Sequence, residues 1–294
     1  MKTNDQFNLN RFVVAQEKIY EIVKKELTNG QKVSHWMWFI FPQIVGLGTS
    51  YMNKTYSITC VEEAREYNVH PILGKRLREC CEILLNLPKR DPIYVFGQDA
   101  KKLKSCMTLF YLATNEKVYW EVLIDYFDYE YDKKTLSILA EQDNSVITNI
   151  ELDTNHVFQL GIDNYTDKMV ISPKGIKYVR KEFSSNKTIG KWESATNEKD
   201  YKELCYQLKK VFWCIINKVN YLDFKYTVSD SGGFEIAIKL DNGKEYRLEA
   251  SSNFHFNELD ELADSFKQMV PKGKLYSDML NIWITRTVAE NGDI

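Results

Sequence analysis

The 294-residue sequence predicts two domains of different class. The N-terminal half is an all-α orthogonal helical bundle. The C-terminal half is α+β, with an antiparallel meander sheet and one or two packed helices. Three observations carry this. Apolar positions over the first ~140 residues recur at three- and four-residue spacing, the period of helices with one buried face. Past the polar stretch 144–155 the period drops to two, as in half-buried strands. Near the end, alternating segments flank Asp241-Asn242-Gly243-Lys244, a hairpin signal because Asn-Gly accepts the left-handed conformations of a tight turn. The boundaries drawn are 1–143 for the helical domain, 144–155 for a linker and 156–294 for the α+β domain.

Taken in order, Leu9, Phe12, Val13, Ile19, Tyr20, Val23 and Leu27 share one helical face, with Asn8 as N-cap and Asn29-Gly30 as the stop. Ser34 is placed to cap a short helix that Pro42 closes. Gly46-Leu47-Gly48-Thr49-Ser50 is a flexible turn that lacks the strand and spacing of a dinucleotide fingerprint. Thr59-Cys60-Val61-Glu62 has the form of a capping box and opens a helix through Tyr67. A further helix carries Leu73, Leu77, Cys80, Cys81, Leu84 and Leu85 and ends near Pro88. Asp91-Pro92 reads as an N-cap followed by proline at the first helical position. Asp99 is expected to cap the helix of Leu103, Met107, Phe110 and Tyr111. Residues 118–127 and 133–139 complete the half.

In the second half, 157–162, 169–172, 175–183 and 188–193 read as strands. A helix from about Lys199 to Val219 has Tyr201, Leu204, Leu208, Phe212 and Ile215 on one face. Residues 224–229, 234–240 and 246–250 are further strands, 254–270 is an amphipathic helix, and 275–288 leaves helix and strand both open. Asp163, Asp167, Asp230 and Asp241 fall in predicted turns, where a short carboxylate serves the backbone and not calcium.

Apolar content of 44% and charged content of 27% are those of a soluble globular protein. A net charge of −2 supplies no bulk attraction to nucleic acid or anionic membrane. No stretch approaches the ~20 apolar residues of a membrane span, and the opening Met-Lys-Thr-Asn-Asp-Gln lacks the apolar run of a signal peptide. The six cysteines form no CxxC, and the four histidines stand far apart. Neither a zinc site nor a disulfide framework is expected, no cofactor is implied, and reduced thiols suit a cytoplasmic protein. Lys, Asn, Ile and Tyr usage is bacterial in style.

The densest feature is Ser34-His35-Trp36-Met37-Trp38-Phe39-Ile40-Phe41-Pro42-Gln43. Rings of this kind bury roughly 150–250 Å² each, so one reading is a buried helix with satisfied polar ends. The other is an aromatic wall whose polar neighbours recognise a ligand. Lys75, Arg76 and Arg78, with Lys101, Lys102 and Lys104, would suit an anion if both clusters faced that wall.

This decapeptide with Gly46-Leu47-Gly48, then the stretch from His70-Pro71-Ile72-Leu73-Gly74 to Cys80, then Lys102-Leu103-Lys104-Ser105-Cys106-Met107-Thr108-Leu109-Phe110, resembles in order and spacing the all-helical family called domain of unknown function 1810. The resemblance covers residues 5–142. It implies a compact helical fold and carries no established activity. Two positions depart from the family pattern: Lys104 stands where Arg is common, and Cys106 where Ser is common. Lysine lacks the planar bidentate donor of arginine, and Cys106 reads as a small buried hydrophobe.

Three functions remain open. The first is a binding or sensor protein that holds a small planar ligand, of nucleotide or ADP-ribose type. The ring would lie against Trp36 and Trp38, His35 and Gln43 would supply hydrogen bonds, Ser34 belongs to the same ligand-binding set, and Lys102, Lys104, Ser105 and Thr108 would meet the polar or phosphate groups; stacking is worth about 1–3 kcal/mol per base. The second is an enzyme on the same class of molecule, with His35 as general acid/base and Glu79 or Asp99 brought beside it by folding. The third is a regulator in phage defence or stress, whose C-terminal sheet edge takes up a partner strand.

Overall fold

The computed structural model describes residues 5–156, 164–216, 233–251 and 258–274. Its contacts gather into two compact units that change over between Gln142 and Asp143. The first is helical.

The helix expected over 9–27 is two: α1 (Asn10–Glu17) and α2 (Tyr20–Thr28). Asp5, not Asn8, starts it, its carboxylate accepting from the Leu9 N–H at 2.6 Å and the Asn10 N–H at 3.0 Å. Asn8 itself takes φ +52°, which Asn tolerates and a cap residue does not use. Just before the break, the buried Gln16 gives its amide to the Phe39 carbonyl at 2.7 Å and the Tyr67 hydroxyl at 3.0 Å. α3 (Met37–Ile40) is a single turn, and α4 (Tyr51–Tyr56) is capped by Ser50.

At α5 (Val61–Val69) the expected capping box does not form: Cys60 is the N-cap and makes no side-chain cap bond. Glu63, not Glu62, reaches back to the Thr59 N–H at 2.7 Å and its hydroxyl at 2.6 Å, while Arg11 holds the other carboxylate oxygen at 2.5 Å. α6 (Leu73–Leu85) starts under His70, whose Nδ1 accepts from the Ile72 and Leu73 N–H groups at 3.3 Å. α7 (Pro92–Phe96) is capped by Asp91 as its Asp-Pro pair predicts. A 3-10 turn (Gly97–Asp99) leads into α8 (Ala100–Thr114), followed by α9 (Lys117–Phe127) and α10 (Lys133–Gln142). Every residue of α8 from Ser105 to Ala113 is buried, so this helix is the axis around which the others pack.

Cys80 and Cys81 on α6 and Cys106 on α8 are fully buried. Burial pushes the Cys80 thiol up to about 12 and holds Cys81 and Cys106 well above the ordinary thiol range. Because the thiolate is the reactive form, a maleimide at pH 8 is expected to leave these three unlabelled in the native protein and to modify all of them in urea. Rapid native labelling at these positions would contradict the packing.

In the second unit, β1 (Ile147–His156), β2 (Tyr165–Ser172), β3 (Gly175–Glu182) and β4 (Thr188–Ser194) precede α11 (Glu198–Ile216), β5 (Gly233–Leu240), β6 (Glu245–Ser251) and α12 (Glu258–Gln268). The strands form one antiparallel sheet in the order β4-β3-β2-β1-β5-β6. Most of the expected linker is therefore a central strand. Ile150 and Leu152 alternate into the core, but Asn149, Asp153 and Asn155 between and after them have low strand propensity and read as loop. The Asn-Gly hairpin joins β5 to β6 as expected, with Gly243 at φ +82°. α11 and α12 cover one sheet face through Leu204, Leu208, Phe212, Leu262 and Phe266. Asp167 is not in a turn. It lies on the core side of β2, gripped by Arg180 Nε at 2.8 Å and Nη2 at 2.9 Å and by the Tyr178 hydroxyl at 2.6 Å. The strands expected at 157–162 and 224–229, the segment 275–288, and Asp163 and Asp230 lie outside the described residues.

Candidate functional site

The aromatic decapeptide is positioned by a carboxylate that precedes it. α2 stops at Gly30, whose φ of +70° reverses the chain, and the returning loop closes over Glu26. That side chain accepts from the Val33 N–H at 2.8 Å, the Ser34 N–H at 3.0 Å, the Ser34 hydroxyl and the Trp36 indole N–H at 2.8 Å. Burial alone would raise the Glu26 carboxyl, but these four donors outweigh it and hold the group below its usual range. The Lys32 N–H, bonded to the Val95 carbonyl at 2.8 Å, ties the loop to α7.

From here the two tryptophans part. Trp36 has 0% of its surface exposed and packs its ring against Phe41 and Phe96, with centroids 6.2 and 6.4 Å away. Trp38, two residues on, is only partly buried. Each indole carries a lysine: Lys32 Nζ lies 5.3 Å from the Trp36 ring centroid and Lys102 Nζ 4.2 Å from that of Trp38. Asp99 joins the two ammoniums, one carboxylate oxygen 2.7 Å from Lys32 and the other 2.7 Å from Lys102. Asp99 occupies the N-cap position of α8, yet its side chain makes no capping bond; the lysines take it instead. Burial would raise this carboxyl too, but the hydrogen bonds from Lys102 and Lys32 prevail and keep it low. Side-chain exposure falls from 30% at Lys102 through 20% at Asp99 to 8% at Lys32, so the cluster opens outward at Lys102.

The nine residues singled out from the sequence do not converge. His35 is exposed beside this cluster in sequence, and Trp38 and Lys102 are part of it. Ser34 is held by Glu26. Gln43 is buried, with its amide on the Phe41 carbonyl. Ser105 and Thr108 are interior: the Ser105 hydroxyl meets that of Thr135 at 2.8 Å, and the Thr108 hydroxyl accepts from the Asp132 N–H at 2.9 Å, so both anchor the start of α10. Lys104 pairs with Glu130 at 2.6 Å; two residues along a helix from Lys102, it points elsewhere. The other basic cluster is also engaged away from Trp38. Arg76 lies over Tyr20 and Arg78 donates to Asn68 and Glu116. Of the carboxylates that could serve His35, Glu79 accepts from the Tyr20 hydroxyl at 2.7 Å and Asp99 is held between the lysines. Glu26, Lys32 and the bridging role of Asp99 went unread in the sequence. Their signal is the loop closure at Gly30, which no residue periodicity reports.

Among the described residues no group of three or more His, Cys, Asp or Glu side chains is placed to hold a metal ion. No described helix is long and apolar enough to cross a membrane.

Fold and site together define a helical unit with a surface indole–lysine cluster, followed in the chain by an antiparallel sheet layered with helices. Residues 6–139 match the model of a family described as "Protein of unknown function (DUF1810)", and the chain belongs to that family through its N-terminal half. A solved structure, the conserved hypothetical protein Rv1873 from Mycobacterium tuberculosis, is similar at 42% identity over 46% of this chain and 99% of that one, with a TM-score of 0.46. Comparison with curated proteins finds no match.

Proposed function

We propose that the helical unit is a binding module for a small ligand that carries a planar ring and a negative charge, with Trp38, Lys102 and His35 as its recognition surface. The observation that supports this best is the pairing at Trp38. A partly exposed indole with an ammonium 4.2 Å over one face of its ring brings aromatic surface and a cation together, the cation for the ligand's charge and the uncovered part of the ring for its plane. Such a combination suits a nucleotide-type ligand, for which ring stacking contributes about 1–3 kcal/mol. His35, exposed three residues earlier in the chain, is the hydrogen-bonding group this reading assigns to the same ligand. Trp36, bonded to Glu26, and Gln43, bonded to the Phe41 carbonyl, hold the backbone on either side of Trp38.

The test is calorimetry of the full chain against adenosine, AMP and ADP-ribose. Trp38→Ala is expected to weaken the binding seen with the native protein by about ten- to a hundred-fold, the loss of one stacked ring. Its cooperative melting is expected to persist. Unchanged affinity in a folded Trp38→Ala protein, or no binding of any of the three compounds by the native chain, would remove the proposal.

A further inference from the structure

The Lys32–Asp99–Lys102 bridge sets what kind of anion the proposed surface can take; this deepens the reading above and rests on it. Two ammoniums, each over an indole, are spanned by one carboxylate at 2.7 Å on either side. That carboxylate comes from the chain itself: Asp99 ends the 3-10 turn that runs into α8, its backbone is helical, and its side chain makes no capping bond, so it is free for the lysines. It fills the space between the lysines as an external anion would.

We infer that Asp99 is a built-in occupant of the anion seat between Lys32 and Lys102, so that the seat selects ligands bearing a phosphate over those bearing a carboxylate. The physical reason is competition. A tethered group acts at an effective concentration in the millimolar range or above, and a free monocarboxylate offers the same charge and geometry with no advantage over it. A phosphate monoester carries about −1.5 to −2 charges and three strong acceptor oxygens, enough to meet both ammoniums and displace the single carboxylate. Asp99 then turns outward, which its 20% exposure allows, and Lys102, the more open lysine, makes first contact. Lys32, at 8% exposure, is reached only after the exchange.

The experiment titrates AMP, adenosine 5′-carboxylate and adenosine into the full-length native chain and into Asp99→Asn and Glu130→Gln. Glu130 pairs with Lys104 on the same helix, so its neutralisation changes the net charge by the same unit without emptying the seat. The native chain is expected to bind AMP at least about ten-fold more tightly than the carboxylate, Asp99→Asn to tighten AMP about ten-fold, and Glu130→Gln to change it less than about two-fold. Adenosine, with no anion, is expected to bind all three proteins alike. Equal gains in the two variants would mean general charge, and an unaltered or weakened AMP affinity in Asp99→Asn would mean a purely structural bridge; either overturns the inference while leaving the binding surface at Trp38 intact. If the native chain binds none of the compounds and Asp99→Asn binds none either, both proposals fall. If only Asp99→Asn binds AMP, phosphate does not displace Asp99 from the native seat, and the inference is overturned. Asp99→Ser serves as the second variant should the amide fail to melt cooperatively, and is judged by the same outcomes.

Discussion

Replacing Gly74 by alanine is expected to destabilise the helical unit by about 3 kcal/mol, among the largest effects of any single methyl group in this chain. The start of α6 lies directly on the end of α5. A Cβ at position 74 would stand 1.8 Å from the Asn68 carbonyl oxygen and 2.6 Å from its carbon. Both are backbone atoms, so no rotamer relieves the overlap and the two helices must separate. Separation also disturbs what their contact assembles. The Asn68 side chain accepts from the Tyr119 hydroxyl at 2.5 Å and from Arg78 at 3.1 Å, and donates to Glu116 at 2.6 Å. A buried network that loses one member leaves the others unsatisfied. Equilibrium unfolding in urea measures the effect. A Gly74→Ala protein with the native midpoint would show that α5 and α6 do not approach this closely.

Trp36→Ala is expected to cost about 3–5 kcal/mol, the range for removing a fully buried aromatic side chain. The ring packs between Phe41 and Phe96, and its indole N–H is one of four donors on Glu26. Truncation opens a cavity and loosens the loop that carries His35. Trp36→Phe is expected to recover part of the loss, since it fills much of the space but gives Glu26 no donor. Trp38→Ala, at a partly exposed ring, is expected to lower stability far less. Denaturation of the three proteins side by side reads the difference. If Trp36→Ala were as mild as Trp38→Ala, the assignment of one indole to the core and the other to the surface would be wrong.

This division marks how far the sequence could be read. Helical periodicity located most helices of the first half, because each buries one stripe against the same core, but it ran α1 and α2 together and gave no sign of the six-residue α4. The Asp91-Pro92 cap and the Asn242-Gly243 hairpin were legible because both are local, decided by the φ that proline fixes and the positive φ that glycine permits. β1 was not: its Asn and Asp residues are poor strand formers, and only neighbours on both sides keep them extended. The decapeptide announced that aromatic surface was present without saying which ring faces inward. A four-residue helix has too few turns to define a face, and what turned Trp36 inward was Glu26, ten residues earlier in the chain. Lys102, Lys104, Ser105 and Thr108 look like one polar group when written in a row. Wound on α8, they part into a lysine over Trp38, a lysine on Glu130, and two hydroxyls that hold α10. Asp99 was correctly placed at the helix start and wrongly given the helix as its partner. The nearest donors were two lysines, and charge-assisted bonds outcompete backbone N–H groups.

The most direct test of the binding surface is a heteronuclear spectrum of the indole N–H groups, assigned by Trp→Phe substitution, recorded as AMP is added to the native chain. The signal of Trp38 is expected to move in proportion to occupancy and further than that of Trp36, whose N–H is sealed on Glu26. A Trp38 signal that does not respond to saturating AMP would contradict the assignment of this indole–lysine cluster as a ligand site.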